Sequence, residues 1–392
     1  MSASRRSRKA TAVVHLGREP RKYMGAVNTP VFRASTILFP TLDDLERASR
    51  GEYDGLSYGL HGLPTVVDLQ QAVAALEGGH AAFAVPSGLT ATTLPLLALA
   101  RAGDHVLVTD AVYGPTRRFC ENHLRRAGVD VSYYDPLAGA SIERAFRPNT
   151  RIVFTESPGS LTFEVQDFPA IAQVAHANGA AVLHDNTWAT GLFFASFDHG
   201  ADLVIQAATK YPAGHSDLLL GAVVANAAWW PRLRDVSRDI GHNASPDDLF
   251  LAIRGIRTLE TRLRRHEQSA LAVARWLQAQ PQVRRVLYPP LPEDPGHALW
   301  KRDFTGGSGL LAVELAHGGR DEVAAFVESL ECFALGYSWG GYESLVVPAH
   351  VRHARTARPW QGGPLVRLHI GLEDADDLCE DLGRALSRLR RA

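Results

Sequence analysis

Apolar and polar positions switch between two periods along this chain, and the switches mark its elements. Val66, Leu69, Val73 and Leu76 recur at helical spacing and stop at Gly78-Gly79, which predicts an amphipathic helix closed by a glycine cap. A turn at Ser87-Gly88 opens a second helix through Leu97. The apolar run His105-Val106-Leu107-Val108 predicts a strand, and a helix is expected from Pro115 to Arg126. The unit then repeats. Arg151-Ile152-Val153-Phe154 reads as a strand, and Asp167-Phe168-Pro169 as the cap and first turn of a helix ending at Gly179. Ala181-Val182-Leu183, Leu203-Val204-Ile205 and Ala222-Val223-Val224 read as further strands. Short apolar strands separated by helices predict a mostly parallel sheet covered on both faces, with ligands at the carboxyl ends of its strands. Asp185 and Lys210 fall at such ends.

Near Arg254 the texture changes. A long helix is expected through Arg264 and Trp276, followed by strands at Val286-Leu287 and Gly309 to Val313, a helix from Glu322 to Leu330 and a strand at Leu365 to Leu368. A last helix carries Leu378, Leu382, Leu386 and Leu389. Such runs predict an α+β unit. The expected organisation is an N-terminal arm over residues 1–60, rich in Arg, Pro and Thr, a large α/β domain over 61–250 and a smaller C-terminal α+β domain over 251–392. There is no internal repeat or low-complexity tract.

Composition narrows the function. With 392 residues, 46% of them hydrophobic, the chain can bury a full core. Its 41 basic and 42 acidic residues give a formal charge of −1, so no global field draws it to nucleic acid or an anionic membrane, and a small-molecule partner is expected. Cys120, Cys332 and Cys379 lie far apart without C-x-x-C spacing, which predicts reduced, largely buried thiols rather than disulfides or a zinc site. The basic stretch Arg5 to Lys9 is not followed by a signal-peptide apolar core. No apolar run approaches the roughly 20 residues that span a bilayer, so a cytoplasmic enzyme is expected.

The candidate chemistry lies at the two strand ends. A lone lysine after a strand is ordinarily a solvated loop residue, and a lone Asp-Asn ordinarily a turn. Together they fit one cofactor, which needs an amine for a Schiff base and a carboxylate to keep its pyridine nitrogen protonated. His215 with Asp217, and His184 beside Asp185, lack the clustered spacing of a metal site, and no metal is expected.

Asp185-Asn186-Thr187, followed by Ala208-Thr209-Lys210-Tyr211, resembles the Cys/Met-metabolism family of fold-type I pyridoxal-phosphate enzymes. The resemblance runs from about Pro30 to the C-terminus. It takes in Tyr58 with Pro64-Thr65, Ser87-Gly88-Leu89, Tyr113-Gly114, Glu156-Ser157-Pro158, Gly214 to Asp217, Arg254 to Leu259, and Arg367 to Glu373. It implies that Lys210 carries pyridoxal 5'-phosphate and that Asp185 pairs with the pyridine nitrogen. Gly88 and Leu89, at the start of a helical run, can offer backbone N–H groups to the phosphate. Thr209 is expected to add a hydroxyl there, and Tyr58 to reach it from a neighbouring subunit, which implies a homo-oligomer with shared sites, a tetramer built from dimers. Tyr113 is expected to stack on the cofactor ring. Arg367 is expected to pair in bidentate fashion with a substrate α-carboxylate.

Within the family, Tyr337-Ser338-Trp339-Gly340-Gly341-Tyr342 resembles the β-lyase branch, which makes Ser338 and Trp339 candidate substrate contacts. Pro158-Gly159-Ser160 replaces the Pro-x-Asn-Pro usual in γ-enzymes, and Pro115 stands where methionine γ-lyases tend to have cysteine. The resemblance therefore implies α,β-elimination of L-cystathionine to homocysteine, pyruvate and ammonia. Lys210 would take the Cα proton and return one to the sulfur, with Tyr58 or Tyr113 as substitutes. A γ-lyase, a γ-synthase and another C–S lyase are the alternatives on the same scaffold, and a catalytically silent cofactor-binding protein is the alternative of another class. Three positions depart from the pattern. Leu60 stands where relatives have the Arg of Tyr-x-Arg, and Ala207 where many have the Ser of Ser-x-Thr-Lys, so weaker cofactor retention is expected. Phe250 stands where a β-lyase has tyrosine.

Overall fold

The computed structural model describes residues 8–351 and 354–389. Of the basic stretch from Arg5, residues 5–7 lie outside it.

Seven strands form the larger sheet: β1 (Ala81–Val85), β2 (His105–Thr109), β3 (Asp130–Tyr134), β4 (Thr150–Glu156), β5 (Ala181–Asp185), β6 (Leu203–Gln206) and β7 (Gly221–Ala225). Their order is β1-β7-β6-β5-β4-β2-β3, and all pairings are parallel except those of β7 with β1 and β6. The predicted strands are present because β2, β6 and β7 are buried along their whole length, the condition for uninterrupted apolar runs. Helices cover both faces. The helix Pro64–Glu77 ends where Gly78 turns left-handed at φ 83°. The helix Gly88–Leu99 begins at Ser87, whose hydroxyl accepts the Thr90 N–H at 3.1 Å.

The second sheet holds β8 (Val283–Leu287), β9 (Leu310–Leu315), β10 (Ala334–Leu335), β11 (Leu345–Ala349) and β12 (Leu365–His369) in the order β10-β11-β12-β9-β8. It is antiparallel except at β10–β11. The helices Leu259–Gln278 and Ala375–Leu386 pack together beside it. One apolar cluster runs from Val13 through both sheets to Leu389, so the two units share a core. No helix among the described residues is long and apolar enough to cross a membrane.

Several elements differ from expectation. The helix expected over 115–126 is regular only over Gly114–Phe119, then widens into a π turn at Cys120–Leu124 that keeps both of those residues buried. The long helix after Arg254 is two helices, Pro246–Ile256 and Leu259–Gln278. At the break, Arg262 fills the gap, donating to Gly255 O at 2.7 Å and Tyr211 O at 2.8 Å. Asp167 makes no capping bond; its carboxylate pairs with Arg302 at 2.7 Å. The last helix stops at Leu386, with Leu389 buried beyond it. All three cysteines are free, but only Cys120 is buried. Among the described residues up to 60 there are two α-helices, Lys9–His15 and Leu42–Ser49. The first is tied down by Lys9, which donates to Gly191 O and Leu192 O, and by buried Val13.

Candidate active site

Asp185 is the last residue of β5, paired in register with Ile205 of β6 on one side and Glu156 of β4 on the other. Lys210 follows just beyond β6. A tight turn fixes it, its N–H donating to Ala207 O at 3.0 Å and its carbonyl accepting the Gly214 N–H at 2.8 Å. Burial, helped by the Arg367 charge, pulls the amine down to about 8. The Asp185 carboxyl is pushed above its ordinary value by burial, against two bonds to Oδ1 from Thr187, N–H at 3.0 Å and hydroxyl at 2.5 Å. The Thr187 hydroxyl also accepts the Ala207 N–H at 3.0 Å, so it joins Asp185 to the Lys210 turn.

Glu156 lies in register beside Asp185, and burial followed by the Asp185 charge holds its carboxyl well above the usual range. Its Oε2 accepts the Tyr113 N–H at 2.7 Å and so sets the residue that opens the helix Gly114–Phe119. Tyr113 stays half exposed, its phenol raised by burial and then by Glu156 and Asp185. Sequence reasoning gave Glu156 and Thr187 no role. A carboxylate ending a buried strand was the available signal for Glu156, and its partner becomes visible only with the strand order.

From the second sheet come Arg367 on β12 and the loop before β11. The Lys210 amine donates to Ser338 Oγ, and Arg367 Nη2 donates to Ser338 O at 2.9 Å. Ser338 holds a left-handed backbone, φ 78°, uncommon for a residue with a Cβ. The Lys210 amine lies 5.2 Å from the Trp339 ring centroid. Gly340, at φ 89°, crosses the lysine so closely that a Cβ would come within 2.9 Å of Lys210 Cα. Burial draws the Arg367 guanidinium down to about 10, still charged at neutral pH.

The fold thus brings together Lys210, Asp185, Ser338, Trp339 and Arg367. Gly88 is at the edge of this group: a Cβ on it would meet Ala207 Cβ at 2.6 Å, so only glycine lets the helix Gly88–Leu99 start against the Lys210 turn. The adjacent Leu89 is partly exposed. Thr209 is present, but its hydroxyl donates to Leu220 O at 3.0 Å and accepts the Leu220 N–H at 2.9 Å. Tyr58 stands apart. It bridges to Thr36, meets His61 edge-on at 5.8 Å, and among the described residues shares no hydrogen bond or ring contact with the Lys210 group. His184 is a core residue between Phe168 and Phe194, and no group of three or more His, Cys, Asp or Glu among the described residues could hold a metal.

This donor set fits pyridoxal phosphate: an amine near pH 8, a carboxylate one strand away, and a glycine cradle at a helix N-terminus suited to an anion. A family model described as Cys/Met metabolism PLP-dependent enzyme matches residues 10–387. A Rhizobium johnstonii protein is 49% identical over 381 residues, covering 96% of this chain and 95% of its own length. The cystathionine β-lyase MetC of Escherichia coli is 44% identical over 388 residues, covering 97% and 98%. The crystal structure of metB from Corynebacterium glutamicum superposes with a TM-score of 0.89 at 32% identity, covering 98% of this chain and 99% of that one. With a cofactor-shaped site and a match along nearly its whole length, this chain belongs to the Cys/Met metabolism family of pyridoxal-phosphate-dependent enzymes.

Proposed function

We propose that this chain is a carbon–sulfur lyase that cleaves L-cystathionine by α,β-elimination to homocysteine, pyruvate and ammonia, with pyridoxal phosphate on Lys210. The observation that carries the reading is Ser338, which accepts from the Lys210 amine with its side chain and from Arg367 with its carbonyl. An amine for the cofactor and a guanidinium fork for an α-carboxylate are thereby held against the same residue, so an α-amino acid can present its amine to one and its carboxylate to the other. Trp339 beside the amine, and the likeness to MetC, favour the β-cleaving member.

Pyridoxal phosphate, when bound, supplies the electron sink that weakens the Cα–H bond and then the Cβ–S bond. Asp185 would hold the proton on its pyridine nitrogen, and Tyr113 would cover its ring. Gly88 and Leu89 would offer backbone N–H groups to its phosphate. Thr209 joins them only if its hydroxyl leaves Leu220. With substrate bound, the Lys210 amine would be basic enough to accept the Cα proton and would return one to the departing sulfur. Arg367 fixes the carboxylate, so the Cα–H bond keeps one direction relative to that amine.

The unit in solution is a homo-oligomer, a tetramer built from dimers, in which Tyr58 and the arm over residues 1–60 serve a neighbouring copy. Met24, Leu38, Leu42 and Tyr58 are exposed on one chain, apolar side chains that a neighbouring copy would cover. Residues 61–250 and 251–392 act as cofactor and C-terminal domains, in the cytoplasm. Mixing the cofactor-loaded protein with L-cystathionine tests the reaction: pyruvate and homocysteine are expected, whereas 2-oxobutyrate with cysteine would transfer the chain to γ-cleavage.

A further inference from the structure

The loop that carries Ser338 rests on a histidine to which the reaction above gives no part. His369 is fully buried at the end of β12, two residues after Arg367, so both side chains leave the same face of the strand. Its Nδ1 lies 3.0 Å from Glu343 O, and its Nε2 3.0 Å from the Gly340 N–H. A carbonyl can only accept, so Nδ1 carries the proton and Nε2 is the bare acceptor for Gly340. The ring must be neutral to do this. Burial, with His266 at 5.3 Å between centroids and the charges of Arg367 and Lys210, keeps the second proton off. Tyr211, next to the lysine, packs against the ring at 6.1 Å and against Trp339 at 5.5 Å.

We propose that His369 is a positioning residue: as the Nδ1–H tautomer it clamps the loop 338–343 at Gly340 and Glu343, and so sets the Lys210 amine and the Arg367 fork relative to each other. The chain of contact is short. Gly340 lies against the Lys210 backbone, and two residues earlier Ser338 touches both functional groups. Losing the Nε2 acceptor leaves the Gly340 N–H buried without a partner at the centre of a loop with two left-handed residues, Ser338 and Gly340, whose other ties beyond Ser338, Ser216 Oγ to Glu343 Oε1 at 2.5 Å and the Leu372 N–H to Tyr342 O at 2.8 Å, fall at its far end. This inference rests on the roles proposed above for Lys210 and Arg367.

Two substitutions separate the two bonds. In His369→Gln the amide oxygen can reach the Nε2 position and still accept from Gly340; in His369→Asn the shorter amide can only replace Nδ1. The probes are L-cystathionine turnover and propionate, an unreactive carboxylate that should dock at Arg367 and, by neutralising its charge, shift the pH titration of the Lys210-bound cofactor's visible absorbance. His369→Asn is expected to raise KM for cystathionine and Kd for propionate about tenfold with a smaller fall in kcat, while His369→Gln stays within about threefold of the parent. Both should keep the borohydride-stable label on Lys210. A propionate Kd in labelled His369→Asn equal to the parent's, or a loss in His369→Gln as large as in His369→Asn, would overturn the clamp and leave the proposed function intact. Absence of label on Lys210 in the unsubstituted protein would overturn both. If His369→Asn does not fold, the 15N shifts of His369 in the unsubstituted holoenzyme decide: a neutral Nδ1–H ring is required, and a protonated or Nε2–H ring refutes the clamp.

Discussion

The Lys210 amine sits between charges of opposite sign, and burial decides the outcome. Desolvation disfavours its ammonium form, Arg367 works in the same direction, and Asp185 opposes both without cancelling them. In cofactor-free protein Lys210 should therefore lose its proton near pH 8, where an exposed lysine would do so above 10. Arg367→Leu removes a repelling charge and should move that midpoint upward. Mass-spectrometric rates of Lys210 acylation against pH measure it, and an unmoved midpoint would contradict the electrostatic account. At this scale Lys210 and Asp185 were legible as a pair, an amine and a carboxylate beyond apolar strands that together fit one cofactor, and Arg367, inside its strand, through its match to the family motif. Thr187, Glu156 and His369 were not, because their work is done on neighbours supplied by other strands and loops.

Elements place these side chains through a few close approaches. Gly340 is one, and Gly340→Ala would combine a left-handed Cβ, costing about 1–2 kcal/mol, with a 2.9 Å contact to Lys210 Cα. The loop should shift before the fold fails, so a large loss of kcat/KM with only a small fall in Tm is expected; equal activity would mean that the loop's distance from Lys210 does not matter. A second approach joins the sheets. Arg355 is buried and pairs with Glu164 at 2.6 Å and Ser160 O at 3.1 Å, while Asp110 accepts the N–H groups of Thr356, Ala357 and Arg358 at 2.7–3.0 Å. Arg355→Ala strands a largely buried carboxylate and should lower unfolding free energy by about 3 kcal/mol or more in denaturant titration. A change below 1 kcal/mol would argue that the pair is dispensable. Elements with long apolar runs were readable in the sequence. The alanine-rich β1 and the half-exposed edge strand β3 were not, since neither gives a clear period, and the π turn after Phe119 arises from packing around Cys120 and Leu124.

For the whole molecule, the sequence supported an α/β unit followed by an α+β unit, and the structure has both, but they are joined by one continuous core. The pattern of single segments carries no information about that junction. The first sixty residues show the same limit: Val13 packs into the core while Met24 and Leu38 stay exposed. If Tyr58 and its neighbours serve a second copy, Leu60→Arg should add a cation toward the phosphate there and tighten pyridoxal phosphate binding by about tenfold, the scale of one charge-assisted contact. An unchanged dissociation constant would argue against a shared site.

Everything above turns on one amine. The chain has four lysines, Lys9, Lys22, Lys210 and Lys301, and of these only Lys210 lies at the carboxyl end of the large sheet beside a carboxylate. Borohydride reduction of the cofactor-loaded protein, followed by digestion and mass mapping, reads the attachment directly. A single phosphopyridoxyl label on Lys210 is the predicted result; label on any of the other three, or none, would contradict the account.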